Sequence, residues 1–313
     1  MKKFTKISLL ISMVCICAGA VCLGAGIVLG SGIKEVWAMV ENGEFNIGAL
    51  HIGRWYVPYF IGDDGSEDLE IKEGAVKESF AADDIKNLEI DIKYGSVKLT
   101  DSKTEQIEIT VDAPERNVYQ CGLDGQTLML LDQTSGHIWK GGLGRSNDVE
   151  VVIAIPKGKE FQEAELITNA GSLDISHHLS AFEIAVELDA GSLTANEITS
   201  NGEFTVDIGA GNLKIDKFAA ELLDIECGMG RAELYGKVYR SADIECGMGE
   251  IELNLAGKED DFNYDVSCGL GAIKINGKIY STLSADKEID NNAGKEVSLD
   301  CGMGEITLSI EEE

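Results

Sequence analysis

The sequence predicts an all-β protein: a single β-solenoid of about 20 residues per coil, preceded by one transmembrane helix. Three observations support this: a short apolar pattern that recurs with a fixed glycine, a near-constant spacing of its copies, and a long uncharged run near the N-terminus. We expect a cytoplasmic tail and signal anchor at 1–34, an aromatic juxtamembrane segment and linker at 35–83, and an extracytoplasmic solenoid at 84–313.

The first element is the run from Ile7 to Ile33, which contains no charged residue. It exceeds the roughly 20 residues that a helix needs to cross a bilayer, and it is longer than the apolar region of a cleaved signal peptide. Three lysines precede it, at Lys2, Lys3 and Lys6. This flank predicts a single-pass cell-membrane protein with a cytoplasmic N-terminus. Small residues recur every four positions and would permit weak self-association, at Ala18, Cys22, Gly26 and Gly30.

The next segment, from Trp37 to Phe60, holds a large share of the chain's aromatic residues. Because Trp and Tyr favour the membrane–water interface, one interpretation is an interfacial segment. The other is a stalk that packs onto the first coil, and both stay open. The polar stretch from Asp63 to Asp68 then indicates a linker.

Eight copies of the pattern apolar-x-apolar-x-small-Gly-x-apolar-x-apolar follow. Their glycines are Gly95, Gly171, Gly191, Gly211, Gly230, Gly249, Gly271 and Gly304. In each copy the alternation shifts by one residue at the glycine. A strand with such a shift would normally turn its core face outward, so we expect a bulge or corner at the glycine. On this interpretation the residue directly before each glycine, for example Met248, faces the core with Cys246.

The spacing of the copies distinguishes between repeat architectures. From Gly171 to Gly271 it stays near 20 residues, which is typical of a solenoid. A leucine-rich repeat would need a helical or asparagine-containing segment that the copies lack, and a propeller blade needs about 40 residues. One copy cannot bury its own apolar face, so we expect parallel coils that stack about 4.8 Å apart around a shared core.

The chain is strongly acidic, with a formal net charge of −29. This charge disfavours binding to nucleic acid and to anionic lipid, and it keeps an exposed rod soluble. It could attract cationic peptides or divalent ions, although outward strand positions explain most of the acidic residues. We expect the partners to be the membrane, through the N-terminal helix, and an envelope protein or glycan.

Four cysteines occupy equivalent pattern positions: Cys227, Cys246, Cys268 and Cys301. A linear column cannot supply the tetrahedral ligands of zinc, and coils about 4.8 Å apart hold Cβ atoms farther apart than disulfides prefer. We therefore expect a ladder of reduced, buried cysteines.

No catalytic constellation is evident, and we predict no enzyme, no cofactor and no catalytic, cofactor-binding or metal-binding residue. The adjacent His177 and His178 would point to opposite faces of a strand, so they cannot easily chelate one metal. Carboxylates are too abundant for one pair to stand out as acid and base. Only the stretches Val118–Asp148 and Lys278–Lys295 look long enough to be active-site loops.

One stretch carries a family resemblance. An apolar strand ends in Ile155-Pro156-Lys157-Gly158, and a coil follows with Thr168-Asn169-Ala170-Gly171-Ser172-Leu173. With later corners such as Gly247-Met248-Gly249, this resembles the bacterial "putative adhesin" family of unknown function. The resemblance implies an envelope-exposed β-solenoid, similar to auto-transporter adhesin heads, and it defines no catalytic residues.

Three functions follow from these observations. The first is a non-enzymatic, surface-exposed interaction scaffold. The second is an envelope-stress accessory or regulatory protein that signals through its membrane helix, since membrane-anchored members of the resembled family accompany such systems. The third is a carbohydrate-active enzyme built on a parallel β-helix, which would need charged residues clustered beside long loops.

Overall fold

A computed structural model describes residues 46–52, 55–61, 69–134, 149–280 and 285–312. The chain divides into two compact units, Met1–Glu67 and Asp68–Glu313. In the first unit, β1 (Asn46–Ile52) and β2 (Trp55–Ile61) form an antiparallel hairpin. The expected transmembrane run Ile7–Ile33 lies outside the described residues. Within the described ranges, no helix is long and apolar enough to cross a bilayer.

The second unit consists almost entirely of strands in one sheet. The first strands are β3 (Leu69–Glu73), β4 (Val76–Ala81), β5 (Asn87–Asp101), β6 (Gln106–Asp112), β7 (Val118–Asp124), β8 (Thr127–Asp132) and β9 (Glu150–Ile155). The middle strands are β10 (Glu160–Ile175), β11 (Leu179–Ala195), β12 (Ile198–Cys227), β13 (Arg231–Cys246) and β14 (Glu250–Ala256). The last are β15 (Phe262–Cys268), β16 (Ala272–Ile275), β17 (Lys278–Ile279), β18 (Ala285–Ile289), β19 (Lys295–Cys301) and β20 (Glu305–Glu311). Short 3-10 helices span Ala82–Asp84 and Glu259–Asp261.

The middle strands stack as parallel neighbours with the corner glycines in register. Gly171 pairs with Gly95 on one side and with Gly191 on the other, and Gly191 pairs with Gly211. Apolar side chains from both sides of each corner point inward and are almost completely buried, so that one core runs along the stack. The predicted all-β, solenoid-like fold is thereby confirmed.

The stacking order departs from the chain order at both ends. At one end, β8 and β9 lie on the outer side of β5, and β10 lies on its inner side. At the other end, β19 pairs with β13 on one side and β15 on the other, while β20 lies between β14 and β16. The last coil of the chain, β19 and β20, therefore lies between two earlier coils of the stack.

Antiparallel strands close both ends of the ladder. β7 and β6 pair antiparallel with β8 and β9, and β3 and β4 cover them in turn. β18 and β17 pair antiparallel with β15 and β16 at the opposite end. Such caps cover strand edges that would otherwise invite pairing with another chain.

These caps also bear on two expectations from the sequence. The stretches Val118–Asp148 and Lys278–Lys295, considered as active-site loops, contain β7 and β8 and, at the other end, β17 and β18. Strands β3 and β4 belong to the same sheet although they precede residue 84, where we expected the solenoid to begin. The division into three segments stays a prediction.

The residue directly before the corner glycine is not buried in any of the eight copies, and that expectation was wrong. It is partly buried at Tyr94 and Ala170, exposed at Ala190 and Ala210, and a large exposed apolar residue in the other four copies. Its side chain is 62% exposed at Met229, 55% at Met248, 71% at Leu270 and 60% at Met303. The reason is that the chain turns within a Gly-x-Gly corner that begins directly after the cysteine. Between Cys227 and Ala232, both buried, the intervening Met229 is on the outside of the turn.

The corner glycines are required mainly by close approach. A Cβ atom at Gly249 would lie 2.4 Å from the carbonyl oxygen of Gly230 and 2.9 Å from the Cys227 sulfur. At Gly304 the corresponding distances are 2.2 Å to the Gly249 oxygen and 2.7 Å to the Cys246 sulfur. Because backbone atoms of the neighbouring coil cannot yield without breaking the ladder, even alanine does not fit.

We therefore expect Gly249→Ala to lower the free energy of unfolding by about 1–3 kcal/mol or more, through overpacking. Gly294→Ala is the matched control, because no atom lies within 4 Å of its added methyl group. Urea unfolding of both variants measures the difference. Equal midpoints would contradict the tight contact at the corner.

Candidate interaction surface

The four exposed corner residues form one continuous row, which we call the corner ridge: Met229, Met248, Met303 and Leu270, in stacking order. The backbone hydrogen bonds at these corners fix the order. The Met248 N–H donates to the Gly228 oxygen at 2.7 Å, the Met303 N–H to the Gly247 oxygen at 2.7 Å, and the Leu270 N–H to the Gly302 oxygen at 2.7 Å. Three intervals of about 4.8 Å give the ridge a length of about 14 Å.

Carboxylates cover the outward side of the strands that lead into the corners, which we call the acidic face. Their repeat comes from the parallel register, which places equivalent residues of successive coils side by side. The column next to the corner contains Asp91, Glu187, Asp207, Glu226, Glu245 and Asp300. The second column contains Glu89, Glu165, Asp224, Asp243 and Asp265. Among the described residues, no group of His, Cys, Asp or Glu side chains is arranged to hold a metal ion.

The crowding of like charges changes the protonation of this face. Burial, followed by repulsion from Glu165 and Asp91, raises the pKa of Glu89 to about 7. Burial also raises the pKa of Asp91, Glu187 and Asp207, and neighbouring carboxylates add to each rise. Partial burial, and after it the neighbouring negative charges, therefore favour the protonated form of these carboxyls.

The opposite side of the corner, on the strands that follow the glycine, is electrically mixed. Arg231 lies 3.3 Å from Glu250, and Lys274 lies 2.6 Å from Glu305. The first pair is exposed and the second is partly exposed, and such pairs contribute little to stability. They do, however, neutralise part of the charge on this side, so the ridge separates a strongly acidic face from a mixed one.

The four column cysteines lie in register on the inner side of the same corners. Cys246 pairs with Cys227 and with Cys301, and Cys301 pairs also with Cys268. All four are buried, with at most 3% of the side chain exposed. Burial raises the pKa of the Cys301 thiol to about 12 and raises that of Cys227 and Cys246. Protonated, buried thiols are poor nucleophiles and poor metal ligands.

The corner glycine of a neighbouring coil has no side chain, and the cysteine sulfur occupies the space that this leaves. The Cys227 sulfur lies against Gly249, the Cys246 sulfur against Gly304 and the Cys301 sulfur against Gly271. Cysteine and glycine thus pack as a matched pair from adjacent coils.

A family comparison matches residues 85–286, more than half of the chain, to the model described as Toastrack DUF4097. The chain belongs to the Toastrack DUF4097 family. The resemblance stated above on the Pro-Lys-Gly and Gly-Ser-Leu motifs is thereby confirmed. No curated protein matches this Toastrack chain.

Several solved structures are similar to the Toastrack chain at low identity. A "putative adhesin" from Bacteroides fragilis is 12% identical with a TM-score of 0.39, and the match covers 75% of this chain and 96% of that chain. A "putative cell adhesion protein" from Clostridium sporogenes is 14% identical with a TM-score of 0.29, covering 77% and 100%. A "putative lipid binding protein" from Parabacteroides distasonis is 19% identical with a TM-score of 0.34, covering 76% and 94%.

A polar group that the sequence did not indicate joins Asp101, the buried His177 and the exposed Lys157 of the Pro156-Lys157-Gly158 stretch. The Asp101 carboxylate lies 2.8 Å from His177 Nδ1 and 3.0 Å from Lys157 Nζ. The hydrogen bond to His177, then the one to Lys157, holds the pKa of Asp101 below its usual range. His177 is 1% exposed and its Nε2 has no hydrogen-bond partner, so the ring is not accessible to a substrate. The group connects neighbouring coils.

The two adjacent histidines point to different environments, although they lie in the connection between β10 and β11 and not in a strand. Buried His177 bonds to Asp101, whereas exposed His178 bonds through Nε2 to Thr199 Oγ1 at 2.9 Å. The isolated His137 and the Gly-rich stretch 141–146 lie outside the described residues.

The raised pKa of Glu89 predicts a pH dependence of stability. Its pKa is about 7 in the folded state against 4.5 for the ordinary group, so between these values the folded state binds more protons than the unfolded one. Stability therefore falls as pH rises from about 4.5 to about 7. Glu89→Gln should weaken this fall and raise the melting temperature at pH 7.

Thermal melts from pH 4.5 to 7.5 measure this effect. Glu70→Gln is the control, because Lys72 lowers the pKa of this exposed carboxyl instead of raising it, so its replacement should not weaken the fall. An unchanged slope in Glu89→Gln would contradict the assigned cause.

The cysteine column should behave as packing rather than as a reactive site. Cys246→Ala is expected to cost on the order of 1 kcal/mol, and Cys246→Asp far more, because a carboxylate would be buried without a partner. Residue-resolved thiol alkylation, native and denatured, with metal analysis alongside, checks the redox state. Labelling of these cysteines only after denaturation is expected; stoichiometric zinc, or labelling that requires a reductant, would refute it.

Proposed function

We propose that this Toastrack chain is a single-pass membrane protein whose solenoid lies outside the cell membrane and acts as a non-enzymatic, adhesin-like interaction scaffold. One contrast carries the proposal. The column cysteines and His177 are buried in the stack, whereas a regular ridge and a charged face are exposed. Such an arrangement suits binding through an extended surface.

The location rests on the N-terminal sequence. The uncharged run from Ile7 to Ile33 supplies the anchor, and the lysines before it favour a cytoplasmic N-terminus. The acidic solenoid would be repelled by anionic headgroups, which keeps its surface available to partners. An envelope protein or glycan is the partner class that this location offers, and nucleic acid is disfavoured by the net charge.

The orientation predicts accessibility on intact cells. An epitope tag after Glu313 should be removed by external protease, whereas a tag before Met1 should survive until the cells are lysed. A cytoplasmic marker protein controls for leakage. Protection of the C-terminal tag in intact, marker-retaining cells would contradict the orientation.

One screen distinguishes the non-enzymatic scaffold from the carbohydrate-active enzyme. We expect full-length protein, incubated with a glycan panel, to cleave none of the glycans, whether or not it binds some of them. Released oligosaccharides that depend on the protein would favour the carbohydrate-active alternative and overturn the non-enzymatic proposal.

A further inference from the structure

The corner ridge places an apolar strip beside concentrated negative charge. Met229, Met248 and Met303 are each more than half exposed, as is Leu270 at the end of the row. In the coils before Met229, the equivalent positions are Ala190 and Ala210. Farther along the row the equivalent residues are Ala170 and the partly buried Tyr94, so the four long aliphatic side chains are consecutive.

Carboxylates flank the ridge on both sides. On the acidic face the nearest column contributes Glu226, Glu245 and Asp300 along the length of the ridge. On the mixed face, Glu250 and Glu305 follow the corner glycines directly, where each is paired with a basic residue of its own face, Arg231 and Lys274. A bound segment that covered the ridge would therefore have carboxylates within reach of both of its edges.

We propose that the corner ridge binds a cationic amphipathic segment of a partner protein or peptide. Its apolar side chains pack on the methionines while Lys or Arg side chains reach the flanking carboxylates. Methionine suits such a surface, since its flexible thioether adapts to different apolar partners. A length of about 14 Å matches roughly nine or ten helical residues at 1.5 Å each, so about three turns with apolar residues at i, i+3 or i+4, and i+7.

Charge argues against the other occupants of an exposed apolar strip. A second copy of this chain would bring its own acidic face toward the first, in a protein of net charge −29. Anionic lipid would meet the same repulsion. A cationic amphipathic segment gains from burial of its apolar side chains on the ridge and from attraction to the acidic face. Electrostatic attraction also speeds its association.

This inference rests on the proposed scaffold function and names its partner class. The probe is a synthetic, fluorescein-labelled helix of leucine and lysine with its leucines on one face. A scrambled peptide of identical composition and charge, without an apolar face, is the comparison. Full-length protein is titrated in zwitterionic nanodiscs, with empty nanodiscs as the blank. Incorporation of the chain tests the anchor separately, so failure of the anchor and failure of the ridge are distinct results.

The variant that tests the ridge is Met248→Gln with Met303→Gln, which keeps length and charge but removes apolar character. Both side chains are exposed, so the double variant should melt as the wild type does. The control is Ile71→Gln, an apolar residue that is 74% exposed in β3, a capping strand outside the ridge. We expect the double variant and the scrambled peptide to weaken binding about tenfold or more, and Ile71→Gln to leave it unchanged.

Oxidation supplies a second readout. Bound helical peptide should protect Met229, Met248 and Met303 from conversion to the sulfoxide, and prior oxidation should weaken binding because the sulfoxide is polar.

Equal binding of both peptides, or unchanged binding by the double variant, would overturn the proposal in favour of charge attraction alone. A dimer that the double variant abolishes, or ridge-dependent binding to lipid vesicles without peptide, would overturn it in favour of those occupants.

Discussion

Backbone-on-backbone contact between corner glycines is the constraint from which the rest of the solenoid follows. A Cβ atom at Gly230 would lie 2.1 Å from the carbonyl oxygen of Gly211, and similar distances recur along the column. The position can hold only glycine if the coils are to keep their ladder spacing of about 4.8 Å. The missing side chains leave space on the inner side, which the sulfur of the neighbouring coil fills. On the outer side the tight Gly-x-Gly turn directs the intervening residue into solvent.

Stacking equivalent coils in register has an electrostatic consequence. Each outward residue lies beside its counterpart, as Glu226 lies beside Glu245 and Glu245 beside Asp300. Like charges in neighbouring strands are destabilising. This repulsion adds to the effect of burial in raising the pKa of Glu89 and of Glu187. The core offsets it with continuous apolar packing, and the surface retains a dense negative face. The same in-register stacking of coils thus produces both the apolar core that stabilises the fold and the acidic face that is available for binding.

Much of this fold was predictable from the sequence, because alternating apolar residues and a fixed glycine report directly on strand and corner. The register of Gly95, Gly171 and Gly191 follows from pattern alone. The stacking order did not follow, because all coils carry the same pattern. Cys301 matches Cys246 as well as Cys268, and in the structure it pairs with both. Only the cap strands and the chain connections determine between which coils the last coil lies.

The candidate surface was less predictable than the fold. Period-two alternation places Met248 inside with Cys246, and nothing in that period shows that the turn begins one residue after the cysteine. A second glycine, Gly247, was the signal that could have indicated it, since Gly-x-Gly permits a tighter corner than a single glycine. The Asp101–His177 bond joins residues far apart in the sequence that only the stacking of coils brings together.

Hydrogen exchange in Gly304→Ala tests most directly whether corner contact orders the stack independently of chain order. The added methyl group would meet the Gly249 oxygen and the Cys246 sulfur, which belong to coils far earlier in the chain. The full-length variant should lose amide protection in Arg231–Ala256 as well as in its own coil, Lys295–Glu311, while Glu160–Ala195 stays protected. Loss confined to Lys295–Glu311, with Arg231–Ala256 unchanged, would contradict the insertion of the last coil and the role of the glycine column.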